Sequence, residues 1–266
     1  MNIYIYEIKA QLKSFIIWTI ALLLTMFIFM GGIYPTFQKS AVDLLKVMEG
    51  FPKPFTQVFG FQMFSMFSYG GYYSFAFAYI GLVAAIMAVI VSLSIFAREK
   101  RVKCLDFLVT KPISRSKIFG VKLLVSFTII GATNVIYVVG NMIMFNQNNQ
   151  SSDLTGRFIL ASLGIFFTQL IFLAIGIFVA TFSKKIRSVS GLATAIGFIA
   201  FILSALANII DDEIVNLIAP LKYFEPSNMM AKGYFQAKYI WVAAFIIIFC
   251  TVISYIRFCK SDIHAV

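Results

Sequence analysis

Arg98-Glu99-Lys100-Arg101-Val102-Lys103-Cys104-Leu105-Asp106-Phe107-Leu108-Val109-Thr110-Lys111-Pro112-Ile113-Ser114-Arg115 is a dense polar island between two long apolar runs, and that contrast decides the fold. The flanking runs, Tyr72 to Ala97 and Ile118 to Phe145, each exceed the ~20 residues that cross the hydrocarbon of a bilayer. Four more such runs lie outward from them: Phe15 to Tyr34, Phe158 to Phe182, Val189 to Ile210 and Tyr239 to Cys259. With 61% hydrophobic and 12% charged residues, the composition has no room for a separate soluble domain. The expected fold is an all-α, polytopic membrane protein. Its single transmembrane domain, 1–266, has six transmembrane helices preceded by an N-terminal interfacial helix over 1–14. Lys122 and Arg257 are the only charges in the third and sixth runs. Each stands near an end, where a long basic side chain is expected to snorkel to the headgroups.

Loops rich in Lys and Arg stay in the cytoplasm. With the N-terminus inside, the cytoplasmic segments hold 15 of the 22 basic residues against 4 acids, and the outer segments hold 7 of each. The whole formal charge of +11 then faces the cytoplasm. That places both termini and residues 98–117 inside, and residues 35–71 and 211–238 outside, in a multi-pass protein of the cell membrane. The high pI is thereby a topology signal, and no nucleic-acid partner is expected.

The first apolar run is too long for a signal-peptide core and ends in Gly31-Gly32-Ile33-Tyr34-Pro35 without a small-residue cleavage pattern, so it is expected to be retained. Before it, Tyr4, Ile5, Ile8 and Leu12 share one side of a helix, with Glu7 and Gln11 opposite. That pattern suits a helix lying in the inner headgroup plane. The alternative is a longer first span. Cys104 and Cys259 fall on the inner side and Cys250 within a span, which offers no disulfide framework.

The first outer segment is rich in rings: Phe37, Phe51, Phe55, Phe59, Phe61, Phe64, Phe67 and Tyr69. They anchor it at the interface, as aromatic residues do at membrane boundaries, or form a wall along which an apolar substrate leaves. The second outer segment opens on Asp211-Asp212-Glu213, which reads as a solvated cap rather than a metal site, since no His stands near.

No Asp, Glu or His lies in the middle of any run, although ion-coupled carriers need ionisable relays at membrane depth. The same absence argues against an intramembrane hydrolase, because the single His is His264. No catalytic or metal-ligating residue is expected. The chain also lacks a G-x-x-x-x-G-K-[ST] phosphate loop, so it binds no nucleotide cofactor by that route, and any ATP would be hydrolysed by a partner.

A partner would meet residues 98–117. Val102, Leu105, Leu108 and Val109 recur at helical steps and make an apolar stripe among charges. Pro112 then forces Lys111 out of helical geometry, and Ser114 is suited to N-cap the next helix. The stripe either docks on a partner or lies back on the membrane.

The run Glu99-x-x-x-Lys103-Cys104-Leu105-Asp106-Phe107-Leu108-x-x-Lys111-Pro112-Ile113-Ser114-Arg115, followed by Gly120-x-Lys122-Leu123-Leu124, resembles the region between the second and third helices of ABC-2-type permeases. These are the membrane subunits of ATP-binding-cassette exporters. The wider pattern is similar too, including Tyr34-Pro35, Phe51-Pro52, Phe59-Gly60, Gly71-Tyr72 and Tyr223-Phe224-Glu225-Pro226. The resemblance implies a coupling helix seated on an ATPase subunit, which puts Glu99, Arg101, Leu105, Asp106, Leu108, Pro112 and Arg115 at or near that contact. Cys104 and Leu105 depart from the small residues, often Thr then Ala, associated with these positions.

Six spans would then be half of a transporter, which implies a second permease copy or a paralogue, an ABC ATPase subunit that binds ATP and Mg, and surrounding membrane lipid. Ala193, Gly197, Ala200 and Ser204 line one face of the fifth run with small residues. The resemblance would place the contact between halves on the first and fifth spans; packing inside one half is the alternative for this face. The expected function is export of a lipophilic or amphipathic cargo, a peptide or drug. A membrane scaffold or sensor that binds a cytosolic partner without transport is the other class.

Overall fold

A computed structural model of the chain describes residues 3–40, 68–98, 114–148, 154–183, 185–210 and 212–260, apart from the side chains at 228, 231 and 232. Its six longest helices are long and apolar enough to cross a membrane: Ile3–Lys39, Tyr69–Phe96, Arg115–Gln147, Thr155–Phe182, Val189–Ile210 and Ala237–Lys260, here the first to sixth spans. No strand occurs among the described residues. The all-helical architecture expected from the apolar runs is therefore the one present, and its cause is that a backbone in hydrocarbon must satisfy its hydrogen bonds within the segment.

Local chemistry sets where the helices start. The Ser68 hydroxyl accepts from the Gly71 amide at 3.1 Å and caps the second span. Ser114 accepts from the Lys117 amide at 3.4 Å and caps the third, as the sequence predicts. Between the fifth and sixth spans lie short helices at Glu213–Ile218 and Pro226–Lys232. The first is capped by Asp212 through the Ile214 amide at 2.7 Å, and the second stops at Gly233, whose φ of 81° is left-handed. Glu213 binds Lys238 at 2.6 Å. Those two acids of the Asp211-Asp212-Glu213 run thus serve as a helix cap and an ion pair; Asp211 lies outside the described residues.

Residues 3–14 are helical and continue without a break into the first span. Glu7 and Gln11 are buried, and of the apolar stripe Tyr4 and Ile8 pack against the core while Ile5 and Leu12 are exposed. Glu7 tolerates that position because it finds a cation there, described below. The first span changes pitch at Ile28–Ile33, a π-helical turn before Tyr34–Lys39. Two causes coincide: Gly31 and Gly32 cost helical order, and Pro35 cannot donate its share of the ladder.

The second span is the hub, with 78% of its most apolar window buried, and the fourth follows with 61%. A helix apolar all round belongs in a bundle core. The two approach closely at Gly176, where an added Cβ would meet Ser92 Oγ and, at 3.2 Å, the Val89 backbone. By contrast only 22%, 28% and 11% of the first, fifth and sixth spans' windows are buried, and their exposed side chains are apolar, such as Ile20, Phe198, Ile202, Trp241 and Phe245. Such surfaces suit lipid.

The small-residue face of the fifth span does not point outward. Ala193, Ala200 and Ser204 are buried, and a Cβ on Gly197 would stand 2.5 Å from Ile86 Cγ1 and 3.4 Å from Leu82 Cδ1 of the second span. Of the two partners that the sequence leaves open, this structure puts the face against a helix of the same chain. Small residues there let the fifth span reach the branched side chains of the hub.

Candidate functional site

Of the residues assigned to partner contact, Glu99, Arg101, Leu105, Asp106, Leu108 and Pro112 lie outside the described residues, and so does Cys104. Arg115 is described, and with Arg98 it marks where the 98–117 segment leaves and rejoins the bundle. The geometry of these two roots is the most organised polar feature at that end of the molecule.

At the first root, Arg98 reaches the first span. One guanidinium nitrogen lies 3.3 Å from Glu7 Oε2, the other donates to the Tyr6 hydroxyl at 3.1 Å, and the guanidinium stands 4.9 Å from the Tyr6 ring centre. Glu7 is only 4% exposed. An unpaired carboxylate so buried would be costly, whereas a hydrogen-bonded partner offsets the desolvation. The planar fork of arginine serves both acceptors at once.

At the second root, Arg115 donates to the Cys259 carbonyl at 3.3 Å, near the end of the sixth span. Tyr255 donates to Ser116 Oγ at 2.9 Å. A cation set against the last carbonyls of a helix complements both their unfilled lone pairs and the helix dipole.

The two roots are also joined to each other. Lys122 Nζ donates to the Ile95 carbonyl at 2.6 Å, and Phe119 meets Phe96 edge-on at 5.2 Å between ring centres. Phe119 further touches Tyr255 and Phe258 of the sixth span. The expectation that Lys122 snorkels to the headgroups is thereby corrected: it is 1% exposed. The Ile95 carbonyl, in the last turn of the second span, accepts from the ammonium and holds it inside. Arg257, in contrast, is exposed, near the Phe182 ring.

A second polar feature lies among the second, third and fourth spans. Tyr73 and Tyr137 share a hydrogen bond of 2.9 Å, Asn141 donates to Ser162 at 2.8 Å, and Asn134 donates to Gln169 at 2.5 Å. Gln169 in turn donates to the Ala84 carbonyl at 3.4 Å. All six side chains are buried and none is charged. They join the helices without an ionisable relay.

At the opposite end, a small open cleft of about 30 Å³ is lined by Ser74, Phe75, Tyr79, Phe201, Ser204 and Glu225, among others. Burial pushes the Glu225 carboxyl above its usual range, against the opposing pull of Lys222 and Ser227. Lys222 itself is held by the Ala207 carbonyl at 3.3 Å and Asn216 Oδ1 at 2.9 Å.

The sequence reading overlooked Glu7 as a partner and the Asn134–Gln169 pair. Each carried a signal: Glu7 is the only acid before the first outer segment, and Asn134 and Gln169 are amides in the interior of apolar runs.

Among known protein families, one described as ABC-2 family transporter protein matches residues 1–263. No match was found among curated proteins or among solved structures.

Proposed function

We propose, because the chain belongs to the ABC-2 family of transporter proteins, that it is the permease subunit of an ATP-binding-cassette exporter. The permeases of this family work in general with an ABC ATPase, and a second copy or a paralogue completes the pore. The observation that carries the reading is the family match across nearly the whole chain, 1–263. The braced roots of the 98–117 segment support it: a segment pushed by a partner transmits force only if both its ends are fixed to moving helices. Arg98 is fixed to the first span, Arg115 to the sixth, and Lys122 ties second to third.

In this reading the Arg98 end faces the cytoplasm, both termini lie there, and ATP with Mg is bound and hydrolysed by the partner. The chain itself supplies no catalytic group. Closure of the ATPase moves residues 98–117, the helices rooted there shift together, and a path opens toward the other side. The cargo is lipophilic or amphipathic, such as a peptide or drug, in keeping with the apolar character of the spans.

The test is co-purification. Leu105 and Leu108 are proposed to seat in an apolar groove of the ATPase, so replacing both with Asp should bury unpaired charge and cost about 3 kcal/mol or more. The ATPase should then be lost from the purified complex and cargo-stimulated hydrolysis with it. Unchanged complex yield and unchanged stimulation would refute the docking. Binding with no cargo-dependent turnover in the unaltered protein would leave a scaffold, not an exporter.

A further inference from the structure

The first span meets the second at both of its ends, and these two contacts differ in kind. At the Arg98 end the link is the Glu7–Arg98 ion pair at 3.3 Å with the Tyr6 hydroxyl alongside. At the other end it is aromatic: the Tyr34 ring lies 5.2 Å from both Tyr69 and Tyr72, and Phe37 lies 5.6 Å from Tyr72. Tyr34 is buried there. Tyr69 continues the cluster to Phe145 and Phe158 at 5.6 and 5.3 Å, so the third and fourth spans are engaged as well.

Between these contacts runs an unbroken α-helix, Ile3–Phe27. At 1.5 Å per residue the distance from Glu7 to Tyr34 is about 40 Å, roughly the full depth of a bilayer. The rod lies along the third span, with Thr19 and Thr133 hydroxyls 3.2 Å apart and Leu23 and Met26 against Gly140. Just before Tyr34 comes the π-helical turn Ile28–Ile33, a local geometry that concentrates bending. The turn opens on one side only: a Cβ on Gly32 would meet nothing, whereas Phe29 stacks on Tyr79 of the second span at 5.2 Å and Gly31 packs against Met144, so the turn is coupled to its neighbours on its inner side.

We propose that the first span is a lever: Glu7 grips Arg98, the first residue of the 98–117 segment, and displacement there is carried along the rod to loosen the Tyr34–Tyr69–Tyr72 contact about 40 Å away. This deepens the transporter reading and rests on it for the source of the force. Glu7 is a positioning residue in this scheme. It touches no cargo, and its buried carboxylate moves with Arg98 because separating them strands a charge in an apolar place.

The test separates the mechanical link from the transporter reading. Phe37→Cys is introduced in a background with Cys104, Cys250 and Cys259 replaced by Ser, and its reaction with an impermeant maleimide is timed in proteoliposomes of the chain alone. Glu7→Arg should speed labelling about tenfold, Glu7→Gln by less, and the swap Glu7→Arg with Arg98→Glu should return the rate to within about twofold of the unaltered protein. A labelling rate that Glu7→Arg leaves within about twofold overturns the lever whether or not any ATPase is present, as does a swap that fails to restore it. With the ATPase bound, Glu7→Arg should keep co-purification and basal hydrolysis but lose about tenfold in cargo-stimulated turnover, recovered by the swap. Changed labelling with unchanged stimulated turnover would reduce the pair to a structural brace and overturn its part in coupling.

Discussion

Gly197→Leu separates two roles for the fifth span, and the structure supplies the size of the effect. A Cβ at this position stands 2.5 Å from Ile86 Cγ1, against 3.4–4 Å for ordinary contact, so even Ala requires Ile86 to retreat by roughly 1 Å. Ile86 is buried and cannot swing into open space. Overpacking of this kind typically costs ~1–3 kcal/mol. For Ala, the better helix propensity returns about 1 kcal/mol, leaving a small net loss. The leucine side chain adds three more carbons and should bring the cost to ~3 kcal/mol. Ile86→Ala removes the obstructing atoms and alone should cost ~2–5 kcal/mol through the void it leaves.

The decisive measurement is the double mutant. If the introduced leucine fills the space vacated by Ile86, Gly197→Leu with Ile86→Ala should be less destabilised than the sum of the single changes by at least ~1 kcal/mol. Denaturation of the purified protein in mixed micelles reads this, and cross-linking between copies in native membranes reads the oligomer. Dimer cross-linking should persist in all three variants. Additivity within ~0.5 kcal/mol, or loss of cross-linking with stability intact, would refute the packing of this face on the second span.

Three further outcomes are expected. Lys122→Met keeps the length of the side chain but leaves the Ile95 carbonyl without its donor, and should cost ~1–3 kcal/mol in the same denaturation assay; no loss would mean that the ammonium sits in the headgroups after all. The Glu225 carboxyl titrates above its usual value, so the folded protein holds a proton that the unfolded chain releases; stability should therefore fall as pH rises from about 4 through the raised value, and Glu225→Gln should flatten that slope. A thermal melt rising with pH over that window would contradict the burial of the carboxyl. A cysteine introduced at Ser151 should react with an impermeant reagent from outside and one at Ser183 should not, since the distribution of basic residues predicts that 183 lies inside; reversed labelling would overturn the orientation and move the 98–117 segment away from any cytosolic ATPase.

How much was legible in the sequence follows from the range of the forces involved. Membrane-length helices declare themselves because hydrocarbon imposes one local rule on every residue, and Ser114 is readable as a cap because its hydroxyl bonds only three residues ahead. The partners of Glu7, Lys122 and Gly197 are not local. Arg98 is 91 residues from Glu7, and nothing in the periodicity of either helix says that they meet. The stripe Tyr4, Ile5, Ile8, Leu12 reads as one apolar side, yet Tyr4 and Ile8 pack on the bundle while Ile5 and Leu12 are exposed, and the stripe cannot say that the polar Glu7 and Gln11 are the buried ones. In water that inference would be safe; in a membrane protein the apolar side is satisfied by lipid, and polar groups turn inward to find each other. The same inversion explains Lys122, whose place near a helix end suggested the headgroups until the fold brought the Ile95 carbonyl to it. It explains the small-residue face as well: close approach was readable from Ala193, Gly197, Ala200 and Ser204, but which helix approaches depends on the second span occupying the middle of the bundle. A membrane sequence thus reveals which groups demand a partner more readily than it reveals the partner, and in this chain the demands that matter most converge on the two roots of residues 98–117.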